Sequence, residues 1–205
     1  MKTVVITDND LSFAVGVFLR GGLVAVPTET VYGLAGCAVN VDAVKRIYEV
    51  KGRPAIKPLS LLVPNLEVAA TVCAVIPEDA KKLADAFWPG PLTIILPCAE
   101  SVPDIVTAGG DTVGVRCPDH PKTLEFLRLA GLPAAAPSAN ISDMPSPKNA
   151  ADVLSVFDGK IDCVIDGGEC LLGVESTIID LTSKPYRIIR QGALAREEID
   201  KVVAL

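Results

Sequence analysis

Short apolar runs alternate with amphipathic segments along most of this chain. Runs such as residues 23–26 and 112–116 have the length and composition of buried strands, and residues 41–50 carry apolar side chains at helical spacing. Further strands are predicted at 2–6, 59–63, 92–96, 133–136, 163–165, 177–181 and 186–189, and further helices just before 21–22, at 77–87, 121–130 and 149–157, and from about 196. This alternation predicts an α/β domain, and the short connections between the last strands predict a partly antiparallel sheet.

Composition and length fit one globular domain that does not bind nucleic acid tightly. The chain has 205 residues, half of them apolar, and a chain of this size can bury roughly 70% of its unfolded surface. No repeat or linker divides it, so we predict a single domain over residues 1–205. The formal net charge is −6 without a dense basic stripe, which disfavours tight direct binding of RNA or DNA but leaves room for a small anionic ligand.

The cysteines and the N-terminus predict a cytoplasmic protein without a metal site. The six cysteines contain no CxxC pair, and His120 is the only histidine, so the clustered ligands of a zinc site are missing. We interpret the cysteines as small buried residues in a reducing cytosol. The sequence turns polar after Ile6, with no secretory signal, and no apolar run has the length of a membrane span.

Polar segments rich in glycine and proline lie at the ends of the predicted strands. They are PTETVYGLAG (27–36), KGRPAIKP (51–58), WPGP (88–91), GGDTVGVRCPDHP (109–121), APSANISDMPSP (136–147), GVEST (173–177) and RQG (190–192). In open α/β sheets, ligands bind in the crevice at the strand ends, and loops on a rigid scaffold commonly carry function. We therefore expect the chemistry of this protein in these segments.

Cationic side chains in these segments would suit an anionic ligand. Lys51, Arg53 and Lys57 lie within seven residues, and Arg116 and Arg190 each end a predicted strand. Arginine offers forked donors and lysine a point charge to phosphate or carboxylate groups. From spacing alone, solvated surface charges explain these residues equally well.

Hydroxyl and amide side chains in these segments also have two interpretations. They could cap turns and helices, or they could contact a ligand. They are Thr28, Thr30, Ser138, Asn140, Ser142, Ser146, Ser176 and Thr177. Their recurrence at several strand ends favours a ligand, but spacing does not show that they converge. Familiar nucleotide motifs, GxxxxGK[ST] and GxGxxG, are absent, and a serine triad would have to use His120 without a GxSxG motif.

Taken in order, these segments resemble the YrdC-like family of threonylcarbamoyl-AMP synthases. The matching stretches extend from about residue 22 to 194 and are PTETVYGLAG, KGRPAIKPLSLLV, WPGPLTIIL, TVGVRCPDHP, PAAAPSANISDMPSP, GVESTIIDL and RIIRQGAL. The resemblance implies a twisted mixed sheet flanked by helices, with a positively charged central cavity. It also implies that L-threonine, bicarbonate or CO2, and ATP give L-threonylcarbamoyladenylate, pyrophosphate and water. A separate transferase complex then passes the threonylcarbamoyl group to adenosine in tRNA.

The resemblance assigns roles by motif position. Thr30, Arg116, Ser176 and the backbone near Ala136 would form the L-threonine pocket, with Arg116 on the carboxylate. The ATP contacts would be Arg53, Lys57, Thr112, Ser138, Asn140, Ser146 and Arg190. Lys51 would hold pyrophosphate or bicarbonate, and Lys51 and Arg53 are the predicted catalytic residues.

Two anions approach each other in the implied reaction, because a threonine N-carboxylate attacks the α-phosphorus of ATP as pyrophosphate leaves. Lysine, arginine and hydroxyl groups, together with Mg²⁺, would offset the repulsion by positioning and charge stabilisation. The sequence names no metal-binding residue and leaves open whether Mg²⁺ has a direct protein ligand. Glu29 is the one candidate for a general base, and its alternative roles are orientation of its loop or a water-mediated metal contact.

Three residues depart from the family pattern. Leu62 stands where many members have histidine, Asp143 replaces a usual glycine, and Lys148 replaces a common threonine. The first two keep an alternative open, a carbamoyl-adenylate-forming enzyme on the same scaffold. A non-catalytic RNA-binding or ribosome-maturation module is a second alternative, which the acidic net charge disfavours. The longer family type has a second C-terminal domain, and we expect this chain to be of the single-domain type.

Overall fold

The structure is a computed structural model that describes residues 2–54 and 56–205. Its strands are β1 (Val4–Ile6), β2 (Val24–Val26), β3 (Gly33–Cys37), β4 (Ser60–Leu62), β5 (Leu92–Pro97), β6 (Thr112–Arg116), β7 (Ala134–Ala135), β8 (Cys163–Ile165), β9 (Thr177–Asp180) and β10 (Arg187–Arg190). Its helices are α1 (Ser12–Leu19), α2 (Val41–Lys51), α3 (Leu66–Ala69), α4 (Glu78–Phe87), α5 (Asp104–Thr107), α6 (Pro121–Ala130), α7 (Ala150–Phe157) and α8 (Arg196–Asp200). Even α2, with eleven residues, lacks the length that a membrane-crossing helix needs, and the same holds for the other helices of the described residues.

The strands form one mixed sheet in the order β1-β8-β2-β3-β7-β4-β6-β5-β9-β10. Parallel pairing joins β1 to β8, β8 to β2, β4 to β6 and β5 to β9, and the other neighbours are antiparallel. The predicted α/β sheet is therefore confirmed, and so is the antiparallel pairing of the last two strands.

Strand direction brings the polar segments to one edge of the sheet. The parallel strands β4 and β6 end side by side at Leu62 and Arg116. Strand β5 runs opposite to β6 and begins at this edge, and β9 begins there because it is parallel to β5. Strand β10 runs back along β9, so Arg190 ends at the same edge. Loops that are far apart in the sequence thus meet in space.

Both faces of the sheet are buried, as the alternation of side chains along β2 shows. Ala25 belongs to a core under α2 and α7, whereas Val24 and Val26 belong to a core under α1 and α6. In the second core, the rings of Phe18 and Phe126 pack edge to face with centroids 5.2 Å apart.

The sequence pattern placed residues 33–36 in a polar segment, but residues 33–37 form strand β3 inside the sheet. This strand is built from small residues because α2 packs closely on it. A Cβ at Gly36 would lie 3.0 Å from Ile47 and 3.2 Å from Leu23. Close packing excludes the β-branched residues by which strands are usually recognised. The sequence of this strand therefore lacks the pattern that would predict it.

We predict that Gly192→Ala destabilises the fold. A Cβ at Gly192 would overlap the carbonyl oxygens of Glu175 and Ser176, which are backbone atoms and cannot rotate away. We expect the free energy of unfolding, measured in urea, to fall by about 1–3 kcal/mol. Gly16→Ala in α1 is the control, because its Cβ would meet only the flexible end of Arg20 and alanine favours the helix. Equal stability of the two variants would contradict this account of the loop.

Candidate functional site

A cavity of about 180 Å³ lies over the polar edge of the sheet. Its floor is a row of cross-strand neighbours, since Leu62 pairs with Arg116 on β4 and β6, and Thr93 pairs with Ile178 on β5 and β9. Side chains in such a row share one face of the sheet. Of the residues assigned from the sequence, the cavity is lined by Arg53, Arg116, Ala136, Ser138, Ser176 and Arg190.

Arg116 is held in place by three protein oxygens. Its Nε donates to the Gly90 carbonyl at 3.1 Å, and its Nη2 donates to the Glu29 carboxylate and to the Thr30 hydroxyl, both at 2.8 Å. The ion pair is buried, with the side chains of Arg116 and Glu29 only 8% and 6% exposed. Among the hydrogen bonds of the described residues, none uses Nη1. That nitrogen therefore keeps its donors for a ligand.

Glu29 positions Arg116, a partner that sequence reasoning did not identify. One carboxylate oxygen accepts from Arg116, and the other accepts from the backbone N–H of Asp119 at 3.0 Å. The Glu29 carbonyl also accepts a hydrogen bond from Leu172. With both carboxylate oxygens occupied by protein donors, this geometry favours orientation of the guanidinium over the proton transfer that we considered from sequence.

Thr30 belongs to the same hydrogen-bond network as Arg116 and Glu29. Its side chain is fully buried, and its hydroxyl lies 2.8 Å from the Thr28 hydroxyl and accepts a hydrogen bond from Arg116. Thr28 in turn donates to the Val31 carbonyl at 2.6 Å and fixes the turn before β3. The observed contact of Thr30 is with the guanidinium, and its predicted contact with the amino acid stays a prediction.

Arg190, Ser176 and Thr93 form a second polar cluster in the cavity. The Nε and Nη2 of Arg190 donate to the Ser176 carbonyl at 3.1 and 2.8 Å, and Nη2 also donates to its hydroxyl at 3.1 Å. The Ser176 hydroxyl lies 2.8 Å from that of Thr93. The register of β10 against β9 shifts between Ile188 and Arg190, and such an irregularity changes the direction of the side chains that follow it. Burial lowers the pKa of Arg190, although an arginine side chain keeps its charge.

Glu175 contributes a carboxylate to a cavity that is otherwise lined by cations and neutral groups. Among the described residues that line it, the charged side chains are Arg53, Arg116, Arg190 and Glu175. Ser146 donates to the Glu175 carboxylate at 2.6 Å, and this hydrogen bond lowers the pKa of Glu175. Ser146, which we predicted to contact ATP, therefore does not line the cavity. It contacts Glu175, which does.

Lys51 and Asn140 stabilise the loop that carries Ser138. Lys51 lies at the end of α2 with 1% of its side chain exposed. Its ammonium donates to the Ser138 and Asn140 carbonyls, and to the Asn140 side chain at 3.2 Å. Burial and then the Arg53 charge lower the pKa of Lys51 to about 7, whereas three acceptors favour the ammonium form with its three N–H bonds. The predicted contact of Lys51 with pyrophosphate or bicarbonate stays a prediction.

Lys57 and Thr112 lie outside the residues that line the cavity. Lys57 is exposed, with its Nζ 3.5 Å from the carboxylate of Asp143. Asp143 has a φ of 66°, in the region that favours the glycine usual at this position in the family. Thr112 is four residues before Arg116 on β6, so its side chain shares the cavity's face of the sheet.

Thr93 and Glu175 line the cavity but were given no role from sequence, and Glu29 was considered without its partner. Each carries a local signal that could have identified it. Thr93 is a polar residue inside the apolar strand β5, and each glutamate stands beside a hydroxyl residue in a polar segment. Glu29 and its partner Arg116 are 87 positions apart in the chain, so the sequence does not reveal the pairing.

The Sua5–YciO–YrdC family model, described as "Telomere recombination", matches residues 17–192. The chain belongs to this family. Threonylcarbamoyl-AMP synthases of Pyrococcus abyssi and Bacillus subtilis are 52% and 44% identical to it, over 97% and 96% of this chain and 58% and 57% of theirs. The crystal structure of P. abyssi Sua5 complexed with L-threonine superposes with a TM-score of 0.97 and 49% identity, over 98% of this chain and 61% of that one. The chain thus spans less than two thirds of the length of these relatives, and the predicted YrdC-like fold is confirmed.

We predict that Glu29→Gln destabilises the protein by leaving the Arg116 charge buried without a counter-charge. Breaking a buried ion pair from one side costs about 3–5 kcal/mol in the free energy of unfolding, which denaturant titration would measure. Glu169→Gln is the matched control, because Glu169 is exposed in the loop before β9. A loss no larger in Glu29→Gln than in Glu169→Gln would refute the structural importance of this pair.

Proposed function

We propose that this chain forms L-threonylcarbamoyladenylate and pyrophosphate from L-threonine, bicarbonate or CO2, and ATP. The observation that carries the proposal is Arg116, a buried guanidinium that lines the cavity, is fixed by Glu29 and Thr30, and keeps Nη1 without a protein partner in the described residues. A fixed guanidinium with spare donors recognises a carboxylate. The names of the relatives and the L-threonine complex of P. abyssi Sua5 support threonine as the acid.

The remaining cations of the cavity suit the triphosphate of ATP. Arg53 and Arg190 line the cavity together with the hydroxyl groups of Ser138 and Ser176. Arg53 is anchored by a hydrogen bond of its Nη2 to the carbonyl of Pro58, which also lines the cavity, at 3.0 Å. Two guanidinium groups beside hydroxyl donors provide the charge and the directed hydrogen bonds that phosphate oxygens require.

The proposed mechanism needs no nucleophile from the protein. The threonine amine adds to CO2 and gives an N-carboxylate, which attacks the α-phosphorus of ATP as pyrophosphate departs. Arg116 would hold the threonine carboxylate, while Arg53 and Arg190 would hold the phosphates and reduce the repulsion between the reacting anions. The cavity's described lining contains neither cysteine nor histidine, which agrees with catalysis by position and charge.

Mg²⁺ would enter this site with the nucleotide. Mg²⁺ is commonly held by one or two carboxylates together with substrate phosphates and water. The described residues contain no group of three or more potential metal ligands, and Glu175, fixed by Ser146, is the carboxylate available in the cavity. We propose that Glu175 is the protein's contribution to Mg²⁺–ATP, in which the metal neutralises phosphate charge.

The product would leave for a separate threonylcarbamoyl transferase complex that acts on tRNA in the cytoplasm. The protein itself has no need to bind the tRNA, and its net charge of −6 disfavours tight binding. Because the proposed contacts all lie between residues 29 and 190, we propose that this single domain carries out the adenylate-forming step by itself.

The test is to incubate the protein with ATP, Mg²⁺, bicarbonate and L-threonine. We expect pyrophosphate release that depends on threonine, and the adenylate should be detected by mass spectrometry. Release of pyrophosphate without any requirement for threonine would contradict the proposal. Turnover of carbamoyl phosphate in place of threonine and bicarbonate would instead support the carbamoyl-adenylate alternative.

We predict that Arg190→Ala impairs use of ATP without a comparable loss of stability. Removal of one charged donor from the proposed phosphate site should lower kcat/KM for ATP by about 100-fold or more. Arg187→Ala, on the same strand, is the matched control, because its side chain is 67% exposed and its Nη2 lies 3.7 Å from Asp180. Equal kinetics of the two variants would show that Arg190 does not act on ATP.

A further inference from the structure

Cys73 and Cys98 are neighbours in space although they are distant in the sequence. An isolated antiparallel bridge joins them beyond the end of β5. Both thiols are free in the structure, with Cys73 buried and Cys98 partly exposed. Neither residue lines the cavity, so the function proposed above does not use them.

The backbone around the two cysteines sets their geometry. Ala74 donates to the Pro97 carbonyl at 2.9 Å, and Ala99 donates to the Val72 carbonyl at 3.0 Å. These hydrogen bonds flank the two cysteines, which therefore form a non-hydrogen-bonded pair of an antiparallel bridge. In such a pair the Cα atoms lie about 4.5 Å apart and the side chains share one face. A disulfide requires a Cα separation of about 4.4–6.8 Å.

We propose that Cys73 and Cys98 are a site of reversible disulfide formation. A small-molecule disulfide would be the oxidant, and it would react first at the partly exposed Cys98. The Cys98 thiolate attacks one sulfur of that disulfide and releases a thiolate. Cys73 then attacks the sulfur of Cys98 and releases the second thiolate. The two thiol protons of the protein end on the two released thiols, so one small disulfide is reduced as the protein is oxidised.

The environment of the two thiols slows their reaction with a disulfide at neutral pH. Burial raises the pKa of Cys73 to about 12 and also raises the pKa of Cys98. Thiolate, the form that attacks a disulfide, is therefore scarce at neutral pH. An excess of the small disulfide favours the oxidised pair, and a reducing environment favours the two thiols.

The bond would tie the turn after α3 to the end of β5. At this point the backbone N–H of Cys98 donates to the Asp111 carbonyl at 2.8 Å, just before β6. The closed loop would contain α4 and β5, and its closure would restrict the unfolded chain. We therefore expect the bond to increase stability and to leave turnover at the distant cavity nearly unchanged.

The experiment treats the whole chain with oxidised glutathione and analyses it by mass spectrometry and thermal unfolding. We expect a loss of about 2 Da, a cross-link that peptide mapping assigns to residues 73 and 98, and a rise in Tm of about 5–10 °C that dithiothreitol reverses. Cys98→Ser should show neither change. Cys170→Ser, which removes another partly exposed cysteine, should respond like the unaltered protein.

Three results would overturn the proposal. They are an unchanged mass, a glutathione adduct on Cys98 that Cys73 does not displace, and a cross-link between other cysteines. A mapped bond without any rise in Tm would overturn its stabilising role. All of these readouts are independent of adenylate formation, so they decide this proposal whatever the outcome of the threonine assay.

Discussion

The buried ion pair between Glu29 and Arg116 is the interaction on which the site depends. A charge placed inside a protein costs several kcal/mol unless it is paired and fully hydrogen-bonded. Here the pair is 2.8 Å long, and the guanidinium also donates to Gly90 and Thr30. Glu29 is tied in turn to the backbone of Asp119. The pair therefore links the loop before β3, the end of β6 and the turn before α6, and it leaves one nitrogen of Arg116 for a ligand.

The topology of the sheet determines what surrounds this pair. Mixed strand directions make β4, β6 and β10 end where β5 and β9 begin. The cavity consequently receives Arg53 from the loop before β4 and Arg190 from the last strand. The proposed carboxylate subsite at Arg116 and the proposed phosphate contacts of Arg53 and Arg190 would give two reacting anions what they require, namely fixed position and opposite charge.

The sequence predicted most of the elements because their patterns are local. Strand β6 and helix α6 were predicted at the residues where they occur, since apolar runs and a proline at the first helical turn mark them clearly. Strand β3 was missed because packing against α2, and not intrinsic strand preference, selects its small residues. Local pattern therefore succeeds where an element is defined by its own residues and fails where a neighbouring element defines it.

The site was predictable only in part for the same reason. The resemblance identified segments that converge on the cavity, including Arg116, Ser176 and Arg190. It did not give the role of Glu29, because that role depends on a partner on another strand. The short distance between Cys73 and Cys98 was equally hidden, since only the fold brings the two segments together. Pairs of residues that are distant in the sequence meet only in the folded chain, so the spacing of residues along the sequence does not predict them.

The most direct test of the central claim is a crystal structure of this protein with L-threonine bound. We predict that a carboxylate oxygen of threonine lies about 2.7–3.2 Å from Nη1 of Arg116, while the contact between Arg116 and Glu29 is retained. A threonine carboxylate bound elsewhere in the cavity, or an Arg116 that leaves Glu29 when threonine binds, would contradict the account.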